Sequence, residues 1–453
     1  MTQHKHMVNT LVASTLMAAM AMGAAHAAVT ADEAAKLKSS LTPLGADKAA
    51  NKDGTIPAWD GGLTQATGAK VGDVPANPFP NDKVVLQITA KNAAQHADKL
   101  SEGTLALLKK YPDTFRVDVY QTRRTASAPA YVYDNTFKNA TRCKTKDTGW
   151  SVEGCFGGIP FPIPKDGAEA AWNMQLRVEA ESLSYGFRNM VTSSDGARAL
   201  ATRNDINFQH PYYYKDGSPE SWSGEYLMQR FNATEPPFKA GESLVFRDSI
   251  DIKNSRQAWQ YLVGQRRVRR APTVAYDTPD FVASGANYFD EVQGFLGAID
   301  RYNWKLVGKQ EMYVPYNNNG LVTAKLDDAF TKHHMNADKT RWELHRVWVV
   351  EATVAPGKRH AVPKRRFYLD EDSWALTLMD GYDAEGKLWR TTQAYPFVVP
   401  AIPAVVIKTV SVFNLQAGTM STVQALNGEA YRVVPRKSES FFTGDAVAAD
   451  AAR

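Results

Sequence analysis

RWELHRVWVVEATVAPGKRHAVPKRRFYLDEDSWALTLMDGYDAEGKLWR, residues 341–390, decides the fold. Trp342, Leu344, Trp348, Val350, Ala352 and Val354 share one parity, with Arg346 the charged exception. Glu343, His345, Glu351 and Thr353 share the other, interrupted by Val347 and Val349. Apolar residues at every second position, many β-branched or aromatic, mark a strand with one face buried. Turn residues at 356–357, 370–373 and 383–386 separate it from runs at 365–369, 374–379 and 387–397. Short turns between successive strands predict an antiparallel meander.

Strand patterns continue on both sides. Residues 182–192 and 197–213 flank a turn at 194–196, and further runs occupy 225–233, 242–252, 258–271, 302–316 and 420–425. With the meander, about ten or eleven antiparallel strands are expected. Residues 115–120 and 130–133 read as short edge strands. Helical spacing appears at 31–40, at 88–111 with a split near Ser101 and Gly103, and at 166–178 with Asp166 as N-cap. The segment GGIPFPIP, 157–164, is too rich in glycine and proline for regular structure. The chain therefore divides into a signal peptide (1–27) and a single domain (28–440). That domain has a helix-and-loop part (28–178) and a strand-rich body (179–440), and a flexible tail follows (441–453).

The first residues read as an export signal. His4, Lys5 and His6 precede an apolar, small-residue run at 11–25, and Ala25-His26-Ala27 is an A-x-A cleavage site. The run falls at or below the ~17–25 residues a spanning helix needs. No cysteine follows it, so no lipid anchor is expected, and the address fits a bacterial periplasm. The two cysteines, Cys143 and Cys155, form one disulfide in such an oxidising compartment. In the chain-entropy model the closed loop stabilises by roughly 3 kcal/mol. Two free thiols are the alternative; a zinc pair lacks a nearby histidine. The formal net charge of +5 over 453 residues is too mild to argue for nucleic acid.

Candidate sites are few. GQRRVRRAP, 264–272, puts Arg267 and Arg269 on one face of a strand and Arg266 and Arg270, with Val268, on the other. One reading is a basic strip for phosphate head groups, an acidic partner or an anionic membrane. The other is a set of salt bridges to Asp248, Asp251, Glu343 and Glu351. Trp342, Trp348, Phe367, Trp374, Tyr382 and Trp389 either line a ligand cleft or form core. His345, Glu351 and Asp277 are the first suspects for a hydrolase of esters or glycans. His333-His334 and Asp370-Glu371-Asp372 are weak metal candidates. GYDAEGK, 381–387, fails as a phosphate loop because Leu388 stands where a magnesium-holding hydroxyl belongs. With no G-x-S-x-G, H-E-x-x-H or C-x-x-C, neither a catalytic residue nor a cofactor or metal is expected.

Six long strings carry a resemblance: 41–62 (LTPLGADKAANKDGTIPAWDGG), 111–129 (YPDTFRVDVYQTRRTASAP), 161–173 (FPIPKDGAEAAWN), 258–279 (AWQYLVGQRRVRRAPTVAYDTP), 302–319 (YNWKLVGKQEMYVPYNNN) and 343–360 (ELHRVWVVEATVAPGKRH). Together they resemble the bacterial domain-of-unknown-function family 1329, often described as similar to outer-membrane lipoprotein-sorting proteins. The resemblance implies an α+β, LolA/LolB-like fold: a large curved antiparallel sheet, an unclosed half-barrel, with helices covering the concave face. It also implies accessory roles beside RND-type exporters and an outer-membrane partner. LolB is itself a lipoprotein, and this chain lacks the lipobox cysteine. The expected function is a soluble periplasmic carrier of a lipid, a lipoprotein acyl chain or a sterol-like compound, held in an apolar cleft without covalent chemistry. A hydrolase, or a scaffold that binds partners through the basic strand, is the alternative.

Overall fold

Alternating β-branched and aromatic residues build one dominant antiparallel sheet. The computed structural model describes residues 29–65, 76–254, 256–400 and 402–451. The signal-peptide reading, 1–27, lies outside the described residues. The strands are β1 (Val84–Ile88), β2 (Val117–Tyr120), β3 (Lys144–Lys146), β4 (Ser151–Glu153), β5 (Ser182–Thr192), β6 (Arg198–Gln209), β7 (Glu225–Glu235), β8 (Ser243–Ser249), β9 (Gln257–Leu262) and β10 (Arg267–Arg270). They continue with β11 (Tyr302–Pro315), β12 (Trp342–Val354), β13 (Lys364–Asp370), β14 (Leu376–Tyr382), β15 (Leu388–Ala394), β16 (Phe397–Val399), β17 (Ala404–Val406), β18 (Val410–Asn414), β19 (Thr419–Ala425) and β20 (Tyr431–Val433). The α-helices are α1 (Ala31–Ala35), α2 (Glu102–Lys110), α3 (Ala130–Arg142), α4 (Gly167–Gln175), α5 (Asn319–Thr323) and α6 (Gly444–Ala451).

Sixteen strands form the main sheet, ordered β1-β2-β12-β13-β14-β15-β18-β19-β5-β6-β7-β8-β9-β10, with β11 also on β12 and β20 on β5. The sheet does not close: β1 and β10 are its ends. The count exceeds the expected ten or eleven because β1, β18 and β20 have five residues or fewer, too short for a period to register, the run at 258–271 splits into β9 and β10, and the short edge strand read at 115–120 joins the sheet as β2. Two meanders, β5–β10 and β12–β15 with β18, meet at one seam. There Met420, Ser421 and Thr422 of β19 pair with Thr192, Val191 and Met190 of β5.

Both faces of the sheet are covered. Trp348, Val350 and Phe367 belong to the larger core, while Val347, Val349 and Tyr368 belong to a second one. Successive strand residues point to opposite faces, so the valines that interrupt the polar alternation of β12 face this second core. The helices divide accordingly: α4 adds Trp172 and Met174 to the larger core, and α2 adds Leu107 and Leu108 to the second.

Several expected elements differ. Residues 130–133 open helix α3 rather than an edge strand; Val132, Thr136, Asn139 and Ala140 are its buried stripe, and four apolar residues alone cannot separate the two periods. Ile88 ends β1, and α2 starts only after Ser101, whose side chain caps the Thr104 amide. Residues 258–271 form the β9–β10 hairpin, not one strand, because the chain reverses at 263–266, with Arg266 at φ 49°. The tail expected to be flexible forms α6 at Gly444–Ala451, and Phe442 and Val447 pack on Met228 and Val245.

Candidate functional site

Residues 271–300 cross the larger core's face without joining the sheet. The segment holds only two 3₁₀ turns, Phe281–Ala283 and Phe289–Glu291. An irregular segment this long in a packed domain is commonly a functional strap or lid. Its Phe289, Phe295, Leu296 and Ile299 are buried in the sheet's larger core.

Ion pairs pin the strap. Asp290 accepts two hydrogen bonds from Arg365 of β13, at 2.8 and 3.1 Å, and one from His360 Nε2 at 2.9 Å. Burial raises the Asp290 carboxyl, but Arg365 and His360 outweigh it and hold the group well below its ordinary range. Glu291 accepts two hydrogen bonds from Arg390 of β15, each 2.7 Å. At the other end Lys239 Nζ donates to Phe281 O at 3.1 Å, and Thr202 Oγ1 to Val282 O at 2.8 Å. Arg256, itself bidentate to Asp248, donates to Val274 O at 3.1 Å. One strap thus reaches β13 and β15 as well as β6 and the β7–β8 turn, far apart in the strand order. A single strap that meets strands this far apart is the arrangement expected of a sheet curved into a trough.

Beneath the strap lies a hollow of about 20 Å³, lined by Phe187, Phe231, Phe246, Val282, Phe289 and Leu296. Asn189, Gln229, Arg256, Asp280 and Gln424 are its polar members. Burial pushes the Asp280 carboxyl up to about 6, against hydrogen bonds from Asn287 and the Val282 amide. A second hollow of the same volume shares Phe231 and Val282 and extends toward Gln260 and Glu242. Each has room for about one water; the strap itself fills the trough.

The aromatic residues proposed for a cleft lie elsewhere than at these two hollows. Trp342, Phe367 and Trp374 are fully buried, and none of the six borders either hollow. Trp342 sits in the second core and Phe367 in the larger. Trp348 stacks on Trp374 at 6.0 Å, Trp374 Nε1 donates to Leu44 O at 2.9 Å, and Trp389 Nε1 donates to Asn414 at 3.2 Å. Trp342, Trp348, Phe367 and Trp374 pack in the two cores, and Trp389 is half-buried where β15 meets β18. Tyr382 is likewise buried, with its hydroxyl on Glu102.

The hydrolase suspects stand apart. His345 is held between Glu343 (3.1 Å) and Asp370 (3.0 Å), Glu351 faces Lys364 and Arg366, and Asp277 accepts from the Ala361 amide. Burial opposes charge on His345, but Asp370 and Glu343 push it up to about 10. The acidic triplet is consumed: Asp370 by His345 and the Tyr316 hydroxyl, Glu371 by Arg346 and Lys309, Asp372 by Arg124. Ligand atoms of His345, Asp370 and Asp372 lie within 4.8 Å of one another, but a guanidinium already occupies Asp372, so the set does not fit a cation. His334 bonds Thr114 and Met335, and His333 stacks on Tyr111. Cys143 and Cys155 form a disulfide at the C-cap of α3.

The salt-bridge reading of the arginine strip fails. Asp248 pairs with Arg256 and Glu343 with Arg341. Among the described residues Arg266, Arg267, Arg269 and Arg270 form no ion pair. The strap acids Asp290 and Glu291 escaped the sequence reading. Their signal was two adjacent carboxylates inside an apolar run, NYFDEVQGFLGAI at 287–299, where charge has no place without a partner.

Comparison with known proteins gives a consistent relationship. A family model described as a protein of unknown function, DUF1329, matches residues 87–448. The uncharacterized protein PA3922 of Pseudomonas aeruginosa is 40% identical over 456 residues, 98% of each chain. A DUF1329 family protein from Desulfovibrio piger, solved by crystallography, is 14% identical with TM-score 0.43 over 62% of this chain and 97% of that one. A putative outer membrane lipoprotein-sorting protein domain from Vibrio parahaemolyticus has the same identity and TM-score over 62% and 98%.

Proposed function

The chain belongs to the DUF1329 family, and from that premise we propose that it is a periplasmic carrier that shelters a hydrophobic molecule in the trough beneath its strap. One observation carries the reading: an irregular segment, rather than a strand or helix of the sheet, fills the apolar trough and is pinned by separable ion pairs. Each large apolar side chain the strap buries contributes roughly 1.5–3 kcal/mol. An acyl chain or sterol-like body offers comparable surface. Exchange of Phe289, Phe295 and Leu296 for such a ligand is therefore nearly balanced, and the 20 Å³ hollow is the residue of that fit.

The proposed cargo is a lipid, a lipid-modified protein or a sterol-like compound. An RND-type exporter and an outer-membrane protein are the proposed donor and acceptor. Transfer needs no covalent step, so no catalytic residue is assigned. No helix among the described residues is long and apolar enough to cross a membrane, in keeping with a carrier that moves between membranes.

Native mass spectrometry of protein purified from periplasm, with titration of a fluorescent apolar probe, tests the proposal. Co-purified lipid or saturable uptake, stronger in Arg390→Ala, is expected. Absence of both, in wild type and variant alike, rejects it.

A further inference from the structure

We infer that the corner of the sheet made by the β7–β8 and β9–β10 turns docks on an anionic phospholipid surface. Strands β7 to β10 lie side by side, so both turns open at one end. Ser243, at the start of β8, pairs with Tyr261 near the end of β9, and a Cβ on Gly241 would stand 3.4 Å from Val263.

Two apolar tips protrude there. Phe238 is 77% exposed on a turn braced by the Lys239 and Ala240 amides on Pro236 O, and Val263 is 37% exposed. Single exposed apolar residues are ordinary, but these two adjoin a cluster of cations. Arg266 leaves the second turn, and Arg267, Arg269 and Arg270 follow on the edge strand, all exposed. No acid pairs with any of the four among the described residues. The fold does pair arginines where it needs them: Arg256, close by in sequence, is bidentate to Asp248. Four like charges left together repel one another, and a negative surface relieves that repulsion.

Charge alone would suit an acidic protein equally well. The apolar tips decide for a bilayer: a ring at the end of a short turn matches the depth of the headgroup–acyl boundary, with arginines level with the phosphates. Register places Arg267 and Arg269 opposite Leu262 and Gln260, and Gln260 lines the second hollow. Lys239, beside Phe238, holds the strap through Phe281 O. Docking at this corner therefore sets the strap's end against the membrane, a consequence that rests on the carrier reading; the docking itself does not.

Co-sedimentation of the full chain with phosphatidylcholine vesicles, with and without phosphatidylglycerol, tests the inference. Binding is expected only to the anionic vesicles and weakens with added salt. Arg267→Gln with Arg269→Gln lowers it about 25-fold, at about fivefold per cation. Phe238→Ser weakens it further without changing the thermal unfolding midpoint. No binding to anionic vesicles, equal binding to neutral ones, or variants that bind like wild type overturn the inference. Capture of a polyglutamate peptide without vesicle binding also overturns it, in favour of an acidic protein partner. A protein that docks but takes up no apolar probe sinks the carrier reading and leaves this one standing.

Discussion

The Glu291 carboxylate meets the Arg390 guanidinium through two parallel hydrogen bonds, and both side chains are withdrawn from water. Such a pair is costly to break and cheap to replace. Arg390→Ala leaves a buried carboxylate uncompensated and is expected to cost about 3–5 kcal/mol in urea unfolding. Glu291→Gln with Arg390→Met removes both charges and is expected to restore most of that loss. Hydrogen exchange should show faster opening of residues 281–296 in Arg390→Ala than in the double variant. Equal protection in the two would mean the pair does not hold the strap.

Asp280 gives the strap a pH response. Its folded pKa of about 6 lies above the ordinary 3.8. A carboxyl raised in this way contributes stability that is complete below the ordinary value and is lost as pH rises through about 6. The strap should therefore loosen between about pH 4 and pH 6. Apolar-probe uptake measured across that window should rise in wild type and stay level in Asp280→Asn. A rise of the same size in the variant would assign the effect to another group.

The His345 network responds in the alkaline direction. The imidazole's folded pKa of about 10 exceeds the ordinary 6.5, so its contribution is complete below that value and disappears as pH climbs through 10. Glu343 and Asp370 are both lowered despite burial, chiefly by His345, and their contribution is lost on acidification instead. Unfolding free energy should peak between the two limbs and fall from pH 7 to pH 10 in wild type. His345→Gln should be less stable at neutral pH and lack the alkaline decline. A wild-type profile level over that range would contradict a charged His345.

Gly103 is a point of close approach. A Cβ there would stand 2.0 Å from Thr391 Oγ1 and 2.2 Å from Asp380 Oδ1, and the Gly103 amide donates to Asp380 at 3.2 Å. Gly103→Ala should push α2 off β14 and β15 and cost about 1–3 kcal/mol, the usual range for an overpacked contact. Thermal unfolding measures it. An unchanged midpoint would mean that the helix shifts freely.

The meander from Trp342 to Ala394 was legible because apolar residues recur at alternate positions between short turns, and the two valines that broke the polar alternation belong to a second buried core. The disulfide was legible because two cysteines leave one pairing. Residues 130–133 were not, since an apolar tetrad fits either period until the rest of α3 is seen. The strap pins were illegible for another reason. Glu291 and Arg390 are 99 positions apart, and Asp290 and Arg365 are 75 apart. No local pattern relates them; only the path of the strap across the sheet does.

The seam between β19 and β5 has a temporal consequence. Pairs such as Met420 with Thr192 join parts of the chain that emerge from the ribosome more than two hundred residues apart. Contacts of such long range form late and slowly. Until β19 exists, the edges of β18 and β5 that it joins stay unpaired, and the strap is what links the two arcs.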